Sequence, residues 1–229
     1  MSKYLIVGAS SGIGLASAKK LTANGHQVIG ISRSENLFSH SNYDHFTADI
    51  TEKNPPFPQL ESLDGIIYCP GSINLKPFQS LKPQQFEEDF ELNFLGAVKT
   101  LQHYYPLLRK SPEAAVILFS TVAVQRGMKY HSSIAAAKGA IEGLTRSLAA
   151  EWAPKIRVNA LAPSLVKTSL AESLINTEDK EEQAANRHPM QQIGDPDDLA
   201  ALCAYLLGPT AKWITGQVIG IDGGISSLG

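Results

Sequence analysis

The chain has 229 residues, 43% of them apolar and 18% charged. That is enough to bury one substantial core, and too apolar for an unstructured chain. Lys and Arg number 20 against 22 Asp and Glu, for a net charge of −2, so no basic surplus speaks for nucleic acid or an anionic membrane as partner. The opening residues Met1 to Gly8 hold no signal-peptide core and no run reaches membrane-spanning length; Cys69 and Cys203 make neither a metal cluster nor a disulfide framework. These features describe a soluble, cytoplasmic protein with a single domain over residues 1–229.

Taken in chain order, short Val- and Ile-rich runs alternate with longer helical patterns. Tyr4–Gly8 reads as a strand, and Gly14–Asn24 as a helix stopped by Asn24-Gly25. Gln27–Ser32 is the next strand. The spans Ser34–Tyr43 and Thr51–Ser62 look too short for full crossover helices, and the second is broken by prolines. Gly65–Cys69 is a strand, and Pro83–Lys110 a long helix with Phe86, Phe90, Phe94, Ala97 and Leu101 along one face. Ala114–Ser120 (strand), Ser133–Trp152 (helix) and Arg157–Ala162 (strand) follow. The polar stretch Ser169–Met190 predicts a helical lid over a substrate. Pro196–Leu207 opens as a helix on proline and two aspartates, and Gln217–Ile221 is the last strand. Most of the strands are apolar on successive residues, as strands buried on both faces are. Repeated β-α-β units with right-handed crossovers predict an α/β, doubly wound Rossmann fold with a mostly parallel sheet.

Gly8-Ala9-Ser10-Ser11-Gly12-Ile13-Gly14 stands between the first strand and the first helix. There, backbone N–H groups can close on a pyrophosphate with the positive end of the helix behind them. Gly8 can turn tightly, Gly12 admits the ligand to the backbone, and Gly14 packs helix on strand.

This G-x-x-x-G-x-G spacing resembles the short-chain dehydrogenase/reductase family, and the resemblance runs the length of the chain. Thr47-Ala48-Asp49-Ile50 is similar to the segment whose Asp lies near the adenine ring. Cys69-Pro70-Gly71 stands where the family has Asn-Ala-Gly, with only Gly71 matching. Asn93 matches an active-site Asn. Ala135-Ala136-Ala137-Lys138-Gly139 resembles the catalytic helix, with Lys138 as its Lys. Arg157 to Pro163, followed by Val166 and Thr168, resembles the segment that contacts the nicotinamide end, although Ser164 replaces the usual Gly. Ile214-Thr215-Gly216-Gln217 through Asp222-Gly223-Gly224 is similar to the C-terminal signature.

An acidic residue ending the second strand would bind a ribose 2′-OH and repel a 2′-phosphate. Here Ser32 stands at that place with Arg33 after it; a guanidinium suits a phosphate, so NADP(H) is favoured over NAD(H).

The resemblance implies a Tyr four residues before Lys138 to pass the proton, on the same helical face. That position is Ile134, which has no proton to give. Counting back thirteen gives Thr121, a hydroxyl in place of the family's Ser. Three accounts remain open: Tyr130 or His131 substitutes, with Tyr130 reaching the pocket if the helix extends that far back; the protein binds NADP(H) as a sensor or partner subunit with little chemistry; or Ile134 is an engineered change in an ordinary enzyme. The resemblance implies carbonyl–alcohol interconversion on a small organic substrate, with Lys138 holding the nicotinamide ribose, Asn93 ordering water and Thr121 orienting the substrate oxygen. It also implies a homodimer or homotetramer, to which the small row Ala135, Gly139, Ala140 and Gly143 offers a close-packing surface.

Overall fold

The computed structural model describes residues 1–228; Gly229, the last residue of the expected domain, lies outside them. Its strands are β1 (Lys3–Val7), β2 (Gln27–Ser32), β3 (Tyr43–Thr47), β4 (Gly65–Tyr68), β5 (Ala114–Phe119), β6 (Ile156–Pro163) and β7 (Val218–Ile221). They form one seven-stranded sheet in the order β3-β2-β1-β4-β5-β6-β7, and every pairing is parallel. The order reverses between β1 and β4, which opens a crevice beyond their carboxyl ends.

The helices are α1 (Gly12–Ala23), α2 (Pro83–Phe90), α3 (Gly96–Leu108), α4 (Val122–Arg126), α5 (Ser132–Trp152), α6 (Glu172–Ile175), α7 (Glu178–Ala185) and α8 (Pro196–Leu207). Because successive strand residues face opposite ways, the sheet feeds two cores. Leu5, Ile66, Val116 and Val158 meet α3 and α5 through Leu101, Leu108, Ile141 and Trp152. Ile6, Ile67, Ile117 and Leu161 meet α1 and α8 through Leu21, Leu199, Cys203 and Leu206. No residue of β4 or β5 is exposed, which is why those strands read as unbroken apolar runs.

α8 shows how the local sequence sets an element. Asp195 Oδ1 accepts from the Asp197 amide at 2.8 Å, Pro196 opens the first turn, and Asp197 and Asp198 face the helix dipole. At the far end the Arg157 guanidinium donates to the carbonyls of Leu206 (2.7 Å) and Gly208 (3.2 Å), satisfying acceptors the helix leaves open. Leu206→Ala there would cost about 2–5 kcal/mol.

Three expectations change. β3 was not foreseen: its Tyr-Asp-His-Phe-Thr is an edge strand with only Tyr43 buried, so it carries no apolar run. Pro83–Lys110 is not one helix: a turn of π-helix over Glu91–Leu95 separates α2 from α3. The carbonyl of Leu92 in that turn accepts from the buried Tyr68 hydroxyl at 2.6 Å, which satisfies an acceptor the widened turn frees. Finally, α5 starts at Ser132, and Tyr130 precedes it with φ 69°, so the helix does not reach back to Tyr130.

Candidate active site

A groove of about 430 Å³ lies over the carboxyl ends of β1, β2 and β4. Of the residues expected to hold the cofactor, Gly8, Ser10, Ser11, Gly12, Ile13, Gly14, Arg33, Asp49, Ile50, Gly71 and Thr168 line it. Ser11 stands at the N-cap of α1 but its side chain makes no capping bond, so it leaves the first-turn amides open to an anion. Gly14 lets α1 press onto the loop: a Cβ there would stand 2.1 Å from Gly8 O. Gly12 holds φ +50°, and a Cβ there would meet the Thr168 methyl at 3.1 Å. At the other end, exposed Arg33 borders Ser34, whose hydroxyl lies 3.4 Å from that of Ser10. Ser32 faces inward, donating to Ser34 O at 2.8 Å with His45 Nε2 at 3.0 Å. Asp49 accepts from the Thr51 amide and hydroxyl at 2.9 and 2.7 Å; those bonds, then the nearby Arg33 and Lys99 charges, hold its carboxyl below the usual range. Such a groove, with open amides at one end and a guanidinium beside two hydroxyls at the other, could hold a dinucleotide.

A second cavity of about 540 Å³ adjoins the groove. Ile13, Cys69, Gly71, Thr168 and Leu170 border both spaces. Thr121, Ile134, Lys138 and Val166 line it, with Leu174, Gln183 and Arg187 reaching in from the far side. The segment 169–190 is helical only in part, as a short 3₁₀ turn (Ser169–Ala171) followed by α6 and α7. Thr121 N-caps α4, its Oγ1 accepting from the Ala123 amide at 3.3 Å. Ile134 and Lys138 are each 6% exposed, one turn apart on α5. Burial lowers the Lys138 pKa to about 8, with Cys69 acting the other way. Burial also pushes the Cys69 thiol well up, so near neutral pH it supplies Lys138 no counter-charge.

Asn93 lines neither space. It is fully buried in the π turn, its Nδ2 donating to Ser72 Oγ at 2.9 Å and to Asp89 O at 2.7 Å. Its Oδ1 is buried without a partner among the described residues. A Cβ on Gly71 would stand 3.5 Å from that Oδ1 and 3.9 Å from Lys138 Nζ, so Asn93 and Lys138 approach the same stretch of backbone. Tyr130 is 55% exposed and borders neither space. His131, the other possible substitute, is half-buried and borders the second cavity, with Nδ1 2.7 Å from Lys129 O.

Several contributors were not legible beforehand. Ser72 and Asp89 back Asn93, and Ser72 Oγ also donates to Asp89 Oδ1; the four-residue spacing of Asp89 and Asn93 was the available signal. Ser120 Oγ donates to Glu142 Oε1 at 2.8 Å in the interior, tying the strand end that carries Thr121 to the helix that carries Lys138. Ser164 and His188 meet across the second cavity at 2.8 Å; 24 residues apart, they share no sequence pattern. Ala135, Gly139 and Ala140 are half-buried and Gly143 is exposed with no neighbour within 4 Å of a Cβ, so this row is not closed off inside the chain. Among the described residues, no helix is long and apolar enough to cross a membrane, and no group of three or more His, Cys, Asp or Glu is placed to hold a metal ion.

Comparison with known proteins adds to this geometry. Residues 8–226 match a family model described as enoyl-(acyl carrier protein) reductase. A tropinone reductase homolog of Arabidopsis thaliana is 31% identical, over 98% of this chain and 92% of its own. Thermoplasma acidophilum aldohexose dehydrogenase, solved without ligand, superposes with a TM-score of 0.91 at 27% identity, covering 98% of this chain and 94% of its own. ElxO, solved with NADP bound, gives a TM-score of 0.89 at 26% identity, over 99% and 100% of the two chains.

Proposed function

Since the chain belongs to the short-chain dehydrogenase/reductase family, we propose that it is an NADP(H)-dependent oxidoreductase interconverting a carbonyl and an alcohol on a small organic substrate. The observation that carries this is the meeting of the glycine-floored groove with a second cavity at Gly71, with the Lys138 ammonium on the cavity wall. When bound, the nicotinamide supplies or accepts the hydride. The chain's own residues do the rest. Main-chain amides at the start of α1 bind the diphosphate, while Gly8, Gly12 and Gly14 keep the loop low enough to reach it. Arg33, Ser10 and Ser34 bind a 2′-phosphate, and Asp49 and Ile50 border the adenine end. Val166 and Thr168 border the nicotinamide end. Lys138 binds its ribose and, with a pKa lowered to about 8, can exchange a proton near neutral pH. Thr121 orients the substrate oxygen, and Asn93 braces Lys138 from behind Gly71.

The names of the relatives support a small ketone or sugar-sized substrate, and a cavity of about 540 Å³ has room for one. Residues 1–229 act as one domain, working in the cytoplasm as a homodimer or homotetramer, with α5 in the contact. The test is turnover of NADPH with a panel of small carbonyl compounds by the parent and by Ile134→Tyr. Supplying the phenol should raise kcat, by as much as about 10²–10⁴ over a chain with no other proton carrier. Ile134 itself favours a second reading, a protein that binds NADP(H) and signals through a partner. That reading expects NADPH binding, no turnover above blank and no gain from Ile134→Tyr.

A further inference from the structure

The cavity that lacks a phenol at Ile134 carries another acid–base pair on a different wall. Ser164 follows β6 and is half-buried; His188 lies just beyond α7 and is 5% exposed. His188 Nδ1 is 2.8 Å from Ala184 O. A carbonyl oxygen only accepts, so Nδ1 carries the hydrogen and the neutral ring presents Nε2 as an acceptor. Ser164 Oγ lies 2.8 Å from Nε2 and donates to it. The Gly223 backbone lies close by: a Cβ there would stand 3.3 Å from His188 Cβ and 3.5 Å from its Cδ2. This is a hydroxyl paired with an oriented base, and both residues border the cavity that Thr121, Ile134 and Lys138 line.

We propose that Ser164 and His188 form a proton relay serving the substrate oxygen in place of the missing phenol, an inference that rests on the oxidoreductase reading above. In alcohol oxidation the substrate C–H bond breaks and its hydrogen leaves with the electron pair to an oxidised nicotinamide dinucleotide. The substrate O–H proton passes to Ser164 Oγ as the serine's own proton passes to His188 Nε2. The products are the carbonyl compound, the reduced dinucleotide and an imidazolium whose Nδ1–H stays on Ala184 O. Reduction runs the same transfers backwards. Ser164 is the catalytic residue of the pair and His188 acts through it. The charged and titratable groups around the ring are Lys138 and His131 on the opposite wall, Lys180 and Arg187 on its own segment, and Asp198 and Asp222 bordering the smaller pocket behind it.

The test uses the full chain, NADP⁺ and a panel of small secondary alcohols, with Ser164→Ala and His188→Gln each made alone and together with Ile134→Tyr. Each single change should lower kcat roughly a hundredfold and leave dinucleotide Kd within about twofold. Adding Ile134→Tyr to either variant should restore turnover, which a merely structural role for His188 would not allow. Independently of turnover, ¹⁵N NMR of the parent should show His188 protonated at Nδ1 and bare at Nε2. Parent-like kcat in both variants overturns the relay, as does failure of Ile134→Tyr to restore a folded Ser164→Ala chain, or an Nε2-protonated ring. A parent that binds dinucleotide but turns over no alcohol overturns the relay and leaves the cofactor site standing. A parent that binds neither dinucleotide overturns the oxidoreductase reading and the relay with it.

Discussion

Gly14→Ala places a methyl group where the helix and its loop already touch. In an ordinary helix, alanine gains about 0.5–1 kcal/mol over glycine. At Gly14 the new Cβ would stand 2.1 Å from Gly8 O and 2.8 Å from Gly8 C. Both are main-chain atoms that cannot rotate away, so α1 must lift off β1 or the loop must open. Overpacking of this kind costs about 1–3 kcal/mol, and a domain of this size loses about 2–4 °C of Tm per kcal/mol. The variant should therefore melt roughly 2–12 °C below the parent. An opened loop also misplaces the diphosphate amides, so NADPH should bind about tenfold or more weakly, which is about 1.4 kcal/mol. One other glycine isolates the cause. Gly25→Ala, at φ +81° with nothing within 4 Å of a Cβ, should lose about 1–2 kcal/mol from backbone strain while binding NADPH normally. Circular-dichroism melts and fluorescence titrations read both quantities. If Gly14→Ala melts and binds like the parent, the contact between α1 and Gly8 does not hold the loop in shape, and this reasoning fails.

Arg33→Ala should weaken NADPH by about tenfold or more and NADH little, because a charge-assisted bond to a phosphate is worth roughly 1.5–3 kcal/mol; equal losses for the two dinucleotides would reject the 2′-phosphate assignment. Lys138 has its pKa lowered from 10.5 to about 8. Below about pH 8 both folded and unfolded chains carry its proton, and the folded chain bears the full cost of burying the charge. As pH rises from about 8 towards 10.5, the folded chain sheds the proton first and that cost disappears. Without ligand, Lys138→Met should thus be more stable than the parent at pH 7 by up to about 3 kcal/mol, with the gap closing towards pH 10. Denaturant melts showing a gap that does not change with pH would contradict this. Ile134→Tyr, finally, should gain turnover as set out above, and NADPH binding with no turnover above blank in parent and variant alike would favour the binding-only reading.

The parts of the fold that sequence shows well are those whose signal is local. β2, β4 and β5 are buried on both sides over most of their length, so they show as Val28-Ile29-Gly30-Ile31, Ile66-Ile67-Tyr68 and Val116-Ile117-Leu118-Phe119, with no polar residue inside the run; α8 announces itself through Asp195, Pro196 and two further aspartates. β3 gives no such signal, because an edge strand with one buried residue needs no apolar run. The π turn is equally silent: Phe86, Phe90 and Phe94 continue a spacing of fours straight through it. At the site, the loop from Gly8 to Gly14 and the pair Ile134–Lys138 are legible because their geometry is set within one element. The Ser164–His188 and Ser120–Glu142 bonds are not, since each joins residues that only the assembled sheet brings together. Glu142 in particular looks like the solvent-facing charge of an alanine-rich helix, yet it is 5% exposed.

A π turn is geometrically a single-residue insertion into a helix. Deleting one residue within Glu91–Leu95 would fuse α2 and α3 into a continuous rod while α2 kept its packing on α5 and α3 its packing on β5. The Leu92 carbonyl would return to a helical amide, Tyr68 would lose its acceptor, and the Asn93 carboxamide would swing away from Gly71. A length change of one, with no substitution at all, is thus enough to part the Asn93 carboxamide from the Gly71 backbone in an otherwise intact scaffold.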